Sequence, residues 1–190
     1  MGMIFTAGHG NRTLVELIDL LRAAAVTSLV DVRAYPASRR HPQFNRDRLA
    51  EALAQAGIAY RWEGRDLGGM RQAAAGSPHT ALEPGFRGFA DHMATAAFGA
   101  ALFRLVESAQ VERPALLCAE RDPMQCHRKL IADGLVAAGT RVTHLLEPGH
   151  AEEHRLDPRL RLDAGRLVYD LDGGGQRALD FSGSESPGSR

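Results

Sequence analysis

Short apolar runs alternate with helix-period segments along most of this chain, and that alternation restricts it to βαβ units built around a parallel sheet. Five strand-like runs stand out: Met3–Ala7, Ser28–Arg33, Ile58–Trp62, Pro114–Cys118 and Arg141–Leu146. Between them lie helical patterns. The first is capped by Thr13, with Glu16 completing a capping box and Leu14, Leu17, Ile18 and Leu21 forming its apolar stripe. Further helices are predicted over Arg46–Ala56, Phe86–Met93, Ala97–Ala109 and Cys126–Ala138, the last closing at Gly139.

The expected fold class is α/β: a single doubly wound, mostly parallel five-stranded sheet, Rossmann-like and three-layered, with a C-terminal β-hairpin. Residues 1–148 form the α/β domain in this reading and 149–181 an extension. The hairpin is expected from Arg166–Asp170 and Arg177–Phe181 around a glycine-rich turn, and residues 182–190 are expected to be a disordered tail. If the strands take the common order three-two-one-four-five, ligands should bind beside strands one and four, outside their C-terminal ends. Two long loops, after strands two and three, leave the sheet on that same face.

The 190 residues carry no formal net charge, so no global field draws the protein toward nucleic acid or acidic lipid. Every cation but Lys129 is an arginine, a bias that weakens each arginine cluster as a sign of phosphate recognition. Two cysteines are too few for a disulfide framework and suit a reducing compartment, so a cytoplasmic location is expected. No apolar run is long enough to span a bilayer, and no membrane partner is expected.

The segment Cys118-Ala119-Glu120-Arg121-Asp122-Pro123-Met124-Gln125-Cys126-His127-Arg128 carries the strongest chemical signal. Cys118 ends a buried strand, and Cys126 is expected to open a helix whose N-terminus would favour its thiolate. Three readings compete. Cys126 is a nucleophile or redox thiol, with His9 or His127 as base and Glu120 as orienting or acid/base group. Or Cys118, Cys126, His127 and Glu120 hold a transition metal. The eight-position spacing matches no common zinc signature, and adjacent Cys126 and His127 would point apart on a helix. Or the helix N-terminus binds an anion with Arg128 as clamp. The plain alternative is two ordinary core cysteines beside a solvated His-Arg pair.

His9 lies in the turn Gly8-His9-Gly10-Asn11-Arg12 and is expected to face Cys118 across the crevice. Arg12, Arg33, Arg39, Arg40, Arg87 and Arg128 are candidate substrate-binding cations, although Arg33 is equally explained by an ion pair with Asp31. Glu63, Asp66 and Gly68-Gly69 are placed at the border of the same pocket.

Several of these stretches together resemble the bacterial and archaeal family known as domain of unknown function 488. They are Thr6–Thr13, Leu29–Pro36, Ser38-Arg39-Arg40, Pro42-Gln43-Phe44, Leu67-Gly68-Gly69, Gly85–Ala90 and Cys118–Ala132. The resemblance covers roughly residues 3–146 and implies the fold more than any activity; Gly10 stands where family members usually carry serine. Val30-Asp31-Val32-Arg33 is also similar to a strand of rhodanese-like domains, but Cys126 here opens Cys-His-Arg instead of their glycine- and arginine-rich cradle.

The preferred expectation is a Cys/His-dependent enzyme acting on a phosphate-bearing substrate, a nucleotide or nucleic acid. A metal-binding or redox-sensing module, a nucleic-acid-binding domain without catalysis, and rhodanese-like sulfur transfer are the alternatives. The sequence requires no cofactor; a transition metal is the one candidate.

Overall fold

The computed structural model describes residues 2–171. Within them, eight strands run β1 Met3–Gly8, β2 Ser28–Asp31, β3 Ala59–Trp62, β4 Pro114–Cys118, β5 Arg141–Glu147, β6 His150–Glu153, β7 Leu160–Asp163 and β8 Arg166–Tyr169. Among the described residues, six α-helices run α1 Leu14–Ala23, α2 Arg46–Gln55, α3 Gly64–Leu67, α4 Pro84–Met93, α5 Ala96–Ser108 and α6 Arg128–Ala137. The sheet has six strands in the order β3-β2-β4-β1-β5-β6, parallel from β3 through β5, with β6 antiparallel at the edge.

Two expectations are corrected here. β4 inserts between β2 and β1, so the order is not three-two-one-four-five. A sixth strand, β6, joins the sheet; its four residues are all exposed and carry no apolar alternation, so only pairing with β5 reveals it. A C-terminal hairpin is present, but it pairs β7 with β8 through Ala164-Gly165. The expected strand Arg177–Phe181 lies outside the described residues.

Strand alternation sorts the core onto two faces. Phe5, Ala7, Leu29, Ala115, Leu117 and Leu145 pack with the apolar stripes of α1 and α2. Ile4, Val30, Leu116, Cys118 and Val142 pack with α4, α5, α6 and the C-terminal hairpin. The Thr13–Glu16 capping box closes the start of α1 as expected. Helix α6 is buried over Arg128–Leu135, which is why its polar members must find partners inside the protein. The parallel strands β1, β2 and β4 finish together at Gly8, Asp31 and Cys118, and the loops that leave them build the site.

Candidate functional site

The chain between β4 and α6 turns back on itself through a 3₁₀ turn at Pro123–Gln125, with Asp122 accepting from the Met124 N–H. Cys126 then adopts extended backbone (φ −129°, ψ 147°), and His127 is the N-cap of α6. The expectation that Cys126 opens the helix is therefore corrected. So is its consequence that Cys126 and His127 diverge, because an extended residue followed by a helical one lets both side chains turn inward.

Three donor atoms converge as a result. His127 Nδ1 lies 3.8 Å from Cys118 Sγ and 3.7 Å from Cys126 Sγ, and all three atoms lie within 4.8 Å of one another. His127 Nε2 sits 3.2 Å from the Val32 carbonyl and 3.0 Å from the Leu67 carbonyl. Two carbonyls can only accept, so Nε2 carries a hydrogen, and in the neutral ring Nδ1 is then the atom with its lone pair toward the sulfurs. Gly69 makes this possible: a Cβ there would stand 2.5 Å from His127 Cγ. Gly8 plays the same part under the β4 loop, where a Cβ would meet the Glu120 carbonyl oxygen at 1.8 Å.

Arg128 is fully buried, 1% exposed. Its guanidinium donates to Cys126 Sγ at 3.4 Å, Thr6 Oγ1 at 3.1 Å and the Glu120 carbonyl at 2.5 Å. Among the described residues its partners are this sulfur, a hydroxyl and main-chain carbonyls, so the Cys126 sulfur is the natural partner for its charge. The Cys118 thiol is pushed up, chiefly because it is held as a hydrogen-bond donor to Cys126 and also by burial. Cys126 moves the opposite way: the hydrogen bond from Cys118 leads, burial opposes, and the Arg128 charge lowers it further.

The cluster opens on a cleft of about 270 Å³ whose walls include Tyr35, Met70, Phe86 and Glu120. Glu120 is exposed at its rim, with a carboxylate oxygen 3.9 Å from Cys118 Sγ. Gly69 lines the cleft as expected. Glu63 and Asp66 turn instead to Arg104.

The other expected site residues do not join the cluster. The His9 main chain does abut it, its N–H donating to the Cys118 carbonyl at 3.0 Å. The side chain does not, because His9 follows Phe5 and Ala7 onto the opposite face, where it stacks on Phe44 at 4.4 Å. Burial holds that ring neutral, lowering it to about 4. Arg33 lines the cleft but grips Asp31 through Nε at 2.8 Å and Nη2 at 2.5 Å. Arg12 bonds the Gly8 and Leu146 carbonyls, and Arg87 those of Leu82 and Thr80. Arg39 and Arg40 are exposed on the loop after β2, outside the cleft lining. Sequence pattern does not single out Val32 and Leu67, which contribute main-chain carbonyls, and it shows Thr6 only as a polar residue in an apolar strand.

Fold and site together define a class: an α/β protein with a buried Cys-Cys-His cluster at the C-terminal ends of parallel strands. Residues 13–135 match the family described as Domain of unknown function DUF488, and the chain belongs to that family. Neither the curated proteins nor the solved structures contain a match. Among the described residues, no helix is long and apolar enough to cross a membrane.

Proposed function

We propose that the protein is a metal-dependent enzyme in which Cys118, Cys126 and His127 hold one thiophilic transition-metal ion of the zinc or iron class, its remaining position facing the cleft. The observation that carries this reading is the convergence of the three donors with the His127 tautomer already set. Zinc–sulfur and zinc–nitrogen bonds at tetrahedral angles place a ligating sulfur and nitrogen about 3.6 Å apart, and the two sulfur–nitrogen separations here, 3.7 and 3.8 Å, are within about 0.2 Å of that. A ligating histidine also commonly gives its other N–H to a carbonyl, as His127 does. Three protein ligands with an open position is the arrangement of catalytic rather than structural zinc. Glu120 at the rim is the group to move a proton there. The cleft suits a small, partly apolar substrate. Arg33, the arginine in its lining, is paired with the Asp31 carboxylate through Nε and Nη2, so a phosphate-bearing substrate is not carried forward.

Anaerobically purified protein is expected to hold close to one equivalent of metal by elemental analysis. Cys118→Ser, Cys126→Ser and His127→Ala should lose it, and Glu120→Gln should keep it. Metal-free protein that also fails to take up cobalt(II) overturns the proposal. The Arg128 contact favours a second reading for that case, in which Cys126 works without metal as a nucleophilic or redox thiolate. Alkylation of Cys126 much faster than of a simple thiol at neutral pH is its signature.

A further inference from the structure

A buried chain of hydrogen bonds runs away from the cluster, on the far side of Arg128. Arg128 Nη1 reaches Thr6 Oγ1 at 3.1 Å, and Thr6 Oγ1 lies 2.8 Å from His144 Nδ1. His144 Nε2 lies 2.9 Å from His154 Nδ1, and His154 Nε2 lies 3.0 Å from Asp133 Oδ1. Asp133 is wholly buried and also accepts from the Tyr169 hydroxyl at 2.9 Å and the Asp157 N–H at 3.0 Å.

Proton accounting orients every link. Asp133 accepts, so His154 Nε2 carries a hydrogen. With both rings neutral, His154 Nδ1 then accepts from His144 Nε2–H, and His144 Nδ1 accepts from the Thr6 hydroxyl. The Thr6 oxygen is left to accept from Arg128. A charged His154 would reverse the His144 ring and leave the Thr6 hydrogen without an acceptor. Each donor therefore points from Arg128 toward Asp133. Arginine does not release its proton, so the chain cannot conduct one to Cys126. It can hold the guanidinium in place, with a buried anion at the far end.

We infer that Asp133, His154, His144 and Thr6 form a positioning relay that keeps the Arg128 guanidinium on the Cys126 sulfur. Thr6, His144 and His154 all lie outside residues 13–135, so residues flanking the family-matched segment complete a contact made within it. The relay rests on the metal-centre reading for its readout, because an N–H···S bond withdraws electron density from a ligating thiolate.

Thr6→Val removes the hydroxyl and keeps the shape; Thr6→Ser keeps the hydroxyl. Both are measured with cobalt(II), by competition for affinity and by the thiolate-to-cobalt charge-transfer band. Outer hydrogen-bond partners of metal ligands are worth about 10–100-fold in affinity. Arg128 is the direct partner of Cys126, so Thr6→Val is expected to weaken binding by up to that factor and move the band to longer wavelength, while Thr6→Ser stays near wild type. In an Arg128→Met background, Thr6→Val should cost nothing more, which a role in packing alone would not reproduce. An unchanged affinity and band in Thr6→Val, or an equal loss in both backgrounds, overturns the relay. A wild-type protein that binds no cobalt fails the metal centre itself, a distinct result. Should Thr6→Val not fold, Asp133→Asn takes its place in the same cycle with the same two outcomes.

Discussion

Lowering the pH from 8 to 5 is expected to cost this protein roughly 2–4 kcal/mol of folding stability through two buried histidines. His9 is pushed down from 6.5 to about 4 and His144 from 6.5 to about 3, burial being the leading cause for each. Below about pH 6.5 the unfolded chain takes up a proton on each ring while the folded chain refuses it. The unfolded state then binds more protons, so stability rises with pH across this window. The contribution is complete above 6.5 and disappears as pH falls toward the folded values. One pKa unit is worth about 1.36 kcal/mol, so the 1.5 units between 6.5 and 5 give about 2 kcal/mol per ring. Water reaching the ring edges lowers the combined figure from about 4 toward about 2 kcal/mol. His79 and His92, also lowered by burial, act in the same sense. Urea denaturation at pH 8, 7, 6 and 5 measures the effect, expected as a loss of about 1–2 M in the midpoint. His9→Phe, which preserves the stack on Phe44, should flatten the slope by about half. A stability constant from pH 8 to 5, or a slope indifferent to His9→Phe, refutes the argument.

Gly69→Ala places a methyl 2.5 Å from His127 Cγ, so the ring must retreat by about 1 Å and give up its carbonyl contacts. Metal affinity should fall about 10–100-fold with the fold kept, and an alanine variant that binds cobalt(II) like wild type contradicts the cluster geometry. Asp31→Asn strands Arg33, whose Nε and Nη2 both rest on that carboxylate, and is expected to cost about 3–5 kcal/mol by denaturant titration. A loss under about 1 kcal/mol would show that Arg33 is held by something else. Phe44→Ala empties a fully buried position under His9 and should cost about 3–5 kcal/mol, with His9 then titrating closer to its ordinary value by NMR.

Elements governed by local pattern were legible from the residues alone. β4 runs over Pro114–Cys118 as its apolar run implies, and the Thr13–Glu16 capping box marks the start of α1. Both depend on neighbours within a few positions. The same holds for the parallel strands and for the chemical richness of Cys118–Arg128. Once the register is known, strand parity separates His9 from Cys118, since Gly8 sits opposite Cys118 and His9 is the next residue along. β6 shows the limit: His-Ala-Glu-Glu has no pattern of its own, and pairing with β5 makes it a strand.

What this sequence determined was the supply of groups: two thiols, an adjacent histidine and arginine, and glycines where chains pass closely. Tertiary structure decided which of them meet. The extended backbone at Cys126 turned two neighbours toward one point, and carbonyls from Val32 and Leu67 chose the tautomer of His127. His154, the residue after β6, reaches His144 because β6 runs back antiparallel along β5, far from any motif. The physical reason is that hydrogen-bond polarity and charge pairing act through space over about 3 Å, whereas sequence pattern reports only distance along the chain.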